Sequence, residues 1–466
     1  MKSTPHVPAA KGPGDRRHTP GTRRRRPRTL PLAAVPAAGV LSLVLAACGS
    51  SSSSTPSGGS NAAAGSTLTI ADVAPFSGVD AALGPTYLAT CYGATSVINA
   101  NGGVLGHKLT CKAVDTRGEP ADAVPAVNQL FASTPNLALV IGCTSDEAAS
   151  VVPIFGSHKM ASFCMTGQSE FDHVHFPYFY RLVPPDLEEA YAMVVIAKNL
   201  GYTKVALAFG NDIGSQTFVQ PAIGAIKKAG MVLTTSQTLD LKATTFRTEA
   251  EAIIHSHPQA ILTEALGTAD PTLFAEIKQL NGGHTIPIIA TSAAISPPFY
   301  KAAAAAVGAS TLASNFHADN LVVESNGPAY GPFRAALLSQ QGKVPGTAGN
   351  FTTYLSAPGG VHLYDGINLA ALAMIMSKST TPSVYGPDII KIGDGAPGAT
   401  VCYSFVQCSG LLKSGKSIRY EGPGGPTNFD SYHDSTGIFQ VDTYSPTGAV
   451  NVVGNISAAQ LRAVQP

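Results

Sequence analysis

The sequence predicts an α/β protein built as two doubly wound lobes of parallel sheet, and three observations carry that expectation. From Thr67 onward, short apolar runs closed by Gly or Ser turns alternate with longer stretches of helical periodicity, the rhythm of parallel strands joined by helices. The chain has 466 residues, more than one hydrophobic core usually organises, so roughly two domains of ~150–200 residues are expected. At 44% hydrophobic and 13% charged, with 47 Gly and 34 Pro, it suits a globular fold with many turns and lies far from the charge-rich signature of disorder.

The elements follow in order. Residues 67–73 (TLTIADV) form a short apolar strand that runs into the Ser77-Gly78 turn, and 84–100 continue as a helix. A strand at 107–114, a helix at 121–132 and a strand at 137–141 repeat the unit. Further strands are expected at 160–165, 204–209, 260–264 and 286–290, with helices such as 188–200 and 218–229 between them.

The first 47 residues read as an address. They hold nine Lys/Arg against one acid, and the arginines at 23–28 lead into an apolar stretch, 30–47, interrupted by Pro31 and Pro36. That order is signal-peptide layout. The ending Leu45-Ala46-Ala47-Cys48 resembles the lipobox of bacterial lipoproteins, which implies that Cys48 receives a diacylglycerol and becomes the mature N-terminus. The competing readings are a spanning helix, which the prolines and small residues disfavour, and an ordinary secreted signal with an incidental cysteine. Residues 49–65 hold no large apolar side chain and read as a flexible tether. No later stretch gives eighteen uninterrupted apolar residues, so the expected relation to the membrane is a lipid anchor on the extracytoplasmic face. Beyond residue 47 the charge is 21 bases against 28 acids with no basic cluster, which argues against nucleic acid as a partner.

Six strings and one acid occur in order: APFSG (74–78), INANGGVLGHKL (98–109) with Asp115 after it, VIGCTS (140–145), YFYRLVP (178–184), YDGINLA (364–370) and YEGPGGPTNFD (420–430). Together they resemble the type I periplasmic binding proteins, in particular the branched-chain amino-acid-binding family of ABC importers. The resemblance implies two Rossmann-like lobes joined by a three-crossing hinge, with residues 66–184 and 312–436 in the first lobe and 185–311 and 437–466 in the second. It implies a monomer that captures a small-molecule ligand, without a cofactor, and hands it to an ABC permease. A ligand-sensing receptor that reports occupancy to a signalling partner is the alternative, and the lipobox and the lack of an expected output domain favour transport.

Ligands collect at the carboxyl edge of open parallel sheets. In the first lobe that edge offers Phe76, Ser77 and Gly78, then Thr144 and Ser145, then Thr166 to Ser169. The resemblance places a ligand carboxylate on Ser145, Thr166 and Gln168 or Ser169. Ser145 equally suits the N-cap of a helix opening Asp146-Glu147. The second lobe offers the loops 211–214, 264–270 and 291–293. There the chain departs from amino-acid binders: Ile213 stands where an aromatic is usual, Ser292 where an acid pairs with the ligand's ammonium, and Leu83 replaces another common aromatic. Asp212 or Glu264 could supply the missing acid, although each by itself reads as a solvated loop residue. The ligand is therefore expected to be small and polar, amino-acid-like, an amide or a carboxylate, and need not be an α-amino acid.

Six cysteines remain after Cys48, and export to an oxidising compartment invites pairing, with 15 arrangements open. Cys91 shares a helical face with Leu88 and Ile98 while Cys111 shares a strand face with Leu109, and Cys143 and Cys164 end consecutive strands. The expected pairs are Cys91 with Cys111, Cys143 with Cys164, and Cys402 with Cys408; buried free thiols are the alternative. Asp172, His173 and His175 lack a third spaced donor for a metal. No nucleophile elbow, Walker loop or Cys-x-x-Cys is present, so no enzymatic activity is expected.

Overall fold

Two sheets organise the chain. In the computed structural model, which describes residues 65–347, 349–357, 359–435 and 439–466, all of these fall in one compact unit. The first sheet joins β1 (Leu68–Ala74), β2 (Leu109–Asp115), β3 (Leu137–Thr144), β4 (Ser162–Met165) and β5 (Phe179–Arg181) in the order β2-β1-β3-β4-β5, every pair parallel. The second joins β6 (Lys204–Gly210), β7 (Val232–Leu239), β8 (Ala260–Glu264), β9 (Ile288–Ala290) and β10 (Phe316–Leu321). A short parallel pair, β11 (Thr400–Cys402) with β12 (Ile418–Tyr420), stands apart, and β13 (Phe439–Tyr444) and β14 (Val450–Ile456) extend the second sheet antiparallel. Its order is β14-β13-β10-β9-β8-β6-β7.

The parallel parts of the two sheets repeat one topology. In each, the first strand sits between the second and the third, so the order reverses between β1 and β3 and again between β6 and β8. Each sheet carries an apolar core on both faces. The helices Leu83–Ala100 and Gly360–Ser377 cover one side of the first sheet, and Pro120–Ser133 and Ser145–Ser157 the other. In the second lobe Asp186–Asn199 and Val219–Lys228 lie on one side, and Arg247–Ser256 and Ala269–Leu280 on the other. Burial on both faces explains why β3, LALVIGCT, is apolar almost throughout and fully buried.

Three segments link the lobes: after β5, after β10 and before β13. The second crossing differs from the expected return near residue 312. Residues 316–321 form β10, hydrogen-bonded between β9 and β13 in the second sheet, so the chain returns only after Leu321. The polar pair Asp319 and Asn320, both buried, hides this strand from an apolar pattern. The third crossing was expected near Gly437, which with the signal peptide and Cys48 lies outside the described residues.

All three expected disulfides form, with Cα separations of 6.1 Å for Cys91–Cys111, 4.6 Å for Cys143–Cys164 and 5.4 Å for Cys402–Cys408. A buried ion cluster holds the hinge. Arg181, fully buried at the end of β5, donates from Nε and Nη2 to the two carboxylate oxygens of Asp434 at 3.0 and 2.8 Å. Its Nη2 also reaches Asp172 Oδ1 at 2.6 Å, and Nη1 donates to the Gln168 carbonyl at 3.3 Å.

Candidate functional site

The carboxyl ends of β1 and β3 face those of β6 and β8 across a cavity of about 120 Å³. These are the reversal points of the two sheets, where adjoining loops diverge and leave a crevice. The lobes meet there directly: Asp146 Oδ1, in the first turn after β3, accepts a hydrogen bond of 2.8 Å from the Gly214 amide after β6. A Cβ on Gly214 would stand 3.4 Å from both Ser145 and Asp146, at ordinary contact distance.

Each loop is fixed from behind. Asp115, ending β2, receives the Phe76 amide at 2.9 Å, the Ser77 amide at 3.2 Å and the Ser77 hydroxyl at 2.6 Å. Against a modest burial cost, these bonds and one from Arg117 hold its carboxyl below the usual range. Gly78 has φ +92, and a Cβ there would lie 2.5 Å from the Arg117 carbonyl oxygen, so the turn that carries the chain on to Asp80 requires glycine. The helix Ser145–Ser157 is capped by Thr144, not Ser145: Thr144 donates from its amide at 3.1 Å and its hydroxyl at 2.6 Å to Glu147, which also accepts from Thr116 at 3.0 Å. Burial pushes the Glu147 carboxyl up to about 7 despite these donors.

Of the expected site residues, Ser145, Asp212, Glu264 and Ser292 line the cavity, with Leu83 and Gly214. Ser145 donates to Thr166 Oγ1 at 3.2 Å, so Thr166 and Gln168, both buried, stand behind it without lining the cavity. Ser169 is exposed at the start of a short 3-10 turn. Phe76 and Ser77 also stay outside the lining, turned to the core and to Asp115. Glu264 is not a solvated loop acid. It ends β8, is 8% exposed, and accepts from Ser215 Oγ at 3.3 Å and from the Thr291 hydroxyl, while burial and then Glu189 push its carboxyl well up. Asp212 is half-buried and caps the next helix by accepting from the Ser215 amide at 2.7 Å.

Sequence reasoning missed four acids. Asp80, Asp146, Asp186 and Glu189 all line the cavity. Asp80 is 4% exposed in the turn after β1, its Oδ1 receives no hydrogen bond, and its carboxyl lies against that of Asp146. Burial first pushes both carboxyls upward; at Asp80 the neighbouring Asp146 adds to the rise, whereas at Asp146 the charge of Asp212 adds to it and the hydrogen bonds from Gly214 and with Asp80 oppose it, so Asp80 rises further. Asp186 opens the helix that follows the first crossing; it accepts from Thr217 Oγ1 at 2.6 Å, and burial pushes it up to about 8. Glu189, one turn on, accepts from the Ser292 amide at 2.8 Å, so the third loop of the second lobe gains its acid from the hinge helix. The missed signal was position: Asp146, Asp186 and Glu189 sit in first helical turns, where acids ordinarily just complement the helix dipole. The aromatic surface lost at Ile213 and Leu83 is supplied by Tyr87 and Phe218.

Among the described residues no Lys, Arg or His lines this cavity or the one of about 100 Å³ beside it, which shares Asp80, Leu83, Glu264, Leu266 and Ala293. A roomier hollow of about 430 Å³ shares only Pro184 and Leu321 with the cleft and lies against the crossings, lined by Glu324, His362, Asp365 and Arg462 among others.

A family model described as periplasmic binding protein matches residues 67–410. Solved structures of similar fold include a leucine-binding protein from Thermotoga maritima, 17% identical with a TM-score of 0.66, covering 84% of this chain and 99% of that one. A branched-chain amino-acid transporter substrate-binding protein from Streptococcus pneumoniae, in complex with isoleucine, is 17% identical with a TM-score of 0.65 over 83% and 99% of the two chains. An R. palustris solute-binding protein in complex with 4-hydroxybenzoate is 17% identical, TM-score 0.65, over 86% and 98%. No curated protein sequence matches.

Proposed function

Because the chain belongs to the type I periplasmic binding proteins of ABC transporters, we propose that it is a solute-binding lipoprotein, anchored through Cys48 on the extracytoplasmic face and delivering a small polar organic ligand to an ABC permease. The observation that carries this reading is the cavity at the facing reversal points of two sheets, bridged by the Asp146–Gly214 hydrogen bond. Closing the lobes there removes a ligand from water and turns occupancy into a hinge motion that a permease can read. Of the amino-acid-like, amide and carboxylate ligands open from the sequence, the cavity favours those that bring N–H donors, since carboxylates already line it. Native mass spectrometry of the protein purified from its own host tests the proposal. A mature chain beginning at a diacylated Cys48 with a co-purified small molecule is expected, and a ligand-free chain that stays on the membrane after Cys48→Ala would overturn it.

A further inference from the structure

Resting on the solute-binding reading above, we infer that the ligand of the cleft is a small organic cation, an amine or quaternary ammonium with net positive charge, held by Asp80 and Asp146 of the first lobe and Asp212 and Glu264 of the second. Four observations meet in one place. Asp80 is almost wholly buried, lines the cavity, and has a carboxylate oxygen that no protein donor reaches. Asp212 Oδ2 is likewise buried without a donor in the facing lobe. The Asp80 and Asp146 carboxyls lie within hydrogen-bonding reach of each other, and among the described residues no basic side chain lines the cavity from either lobe. Tyr87 and Phe218 add aromatic surface of the kind that attracts cations.

Charge decides between ligand classes. Two carboxyls in contact repel once both are ionised, and a ligand carboxylate would add a third to a lining whose described residues include no basic side chain to receive it. A cation has the opposite balance: an N–H cation supplies the donors that Asp80 and Asp212 lack, and an N-methyl cation, with no N–H to donate, offsets the acids by charge and packs on the aromatic faces. The hydroxyl of Ser145 fits either class, since it accepts as readily as it donates. A bound metal ion fits less well, as no three His, Cys, Asp or Glu among the described residues are grouped to hold one.

The test is calorimetric titration of the full-length protein, refolded free of ligand, with 1,4-diaminobutane, choline and agmatine, and with leucine, 4-hydroxybenzoate and calcium chloride as contrasts. At least one amine is expected to bind at micromolar strength, a hundredfold or more tighter than leucine or 4-hydroxybenzoate. Asp80→Asn and Asp146→Asn, near-isosteric changes whose folding is checked by circular dichroism, should each weaken that amine at least tenfold. Tighter binding of leucine, 4-hydroxybenzoate or calcium than of every amine overturns the inference, as does amine binding untouched by both variants. Small-angle scattering separates this from the broader reading: if an anion or zwitterion contracts the protein, only the cation assignment falls, whereas if a broad solute library leaves it uncontracted, the solute-binding reading falls with it.

Discussion

The hinge and the cleft both bury carboxylates, and they handle them in opposite ways. At the hinge, Asp172 and Asp434 converge on Arg181, whose guanidinium is bonded through Nε and both Nη atoms. In the cleft, Asp80, Asp146, Asp212 and Glu264 converge on a space that, among the described residues, no side-chain cation lines. A buried ion is costly unless paired, so a cluster that supplies its own counter-charge is a fixture of the fold. A cluster that lacks one gives up stability when its acids are ionised, and protons or a bound cation would recover it.

Breaking the balanced cluster should have the largest effect. Arg181→Met strands two carboxylates in the hinge and should cost about 3–5 kcal/mol of unfolding free energy. Denaturant titration measures it, and a loss below about 1 kcal/mol would mean that the crossing segments, not the ions, hold the hinge. Asp80→Asn is the counterpart in the cleft: it replaces a carboxyl whose charged form burial and Asp146 disfavour, and should leave the empty protein as stable as before or more so.

The unbalanced cluster should next reveal itself through pH. Burial raises Asp186 to about 8, Asp270 and Glu147 to about 7, and Glu264 well above its usual value. In the unfolded chain the same groups titrate near 4. Between roughly pH 4 and pH 8 the folded state therefore holds protons that the unfolded state has released, and stability falls as pH rises through that window. His362, pushed down to about 4 by burial, acts in the opposite direction below its unfolded value of about 6.5, but it is one group against several. The ligand-free protein should melt higher at pH 5.5 than at pH 8, as followed by calorimetry, and a flat or rising profile would show that the cleft acids are solvated.

The contrast also explains what the sequence could and could not reveal. The strings that carried the resemblance are mostly scaffold. Asp115 ties down the first loop, Arg181 anchors the hinge, and Asp365 accepts from the Gly424 amide at 2.9 Å and the Tyr420 hydroxyl at 2.8 Å, joining YDGINLA to YEGPGGPTNFD. Most central strands were legible because burial on both faces makes them apolar; β10 and β13, which bury Asp319, Asn320, Gln440 and Asp442, were the exceptions. The edge strands β7 (VLTTSQTL) and β14 (VNVVGNI) were not, since each is largely uncovered and reads as polar or mixed. The cleft acids were hidden differently. An acid in a first helical turn is an ordinary surface feature of a helix, and nothing local in the sequence marks one that the fold turns into a cavity.

The smallest effect concerns two adjacent hydroxyls, Thr144 and Ser145, which the sequence cannot tell apart. Thr144 is the cap, bonded to Glu147 and buried, so Thr144→Ala should cost about 1–2 kcal/mol of stability. Ser145 is the first residue of the helix and its hydroxyl meets only Thr166 within the protein. Ser145→Ala should therefore leave the unfolding midpoint nearly unchanged. It should weaken a bound amine by about 0.5 to 1.5 kcal/mol, roughly two- to tenfold, the usual worth of one hydrogen bond. The chain has no tryptophan, so calorimetry is the better readout than intrinsic fluorescence. The pair of variants gives a sharp discrimination: if Ser145→Ala destabilised the fold as much as Thr144→Ala, the hydroxyl would be part of the cap, and the first lobe would meet its ligand through the carboxylates alone.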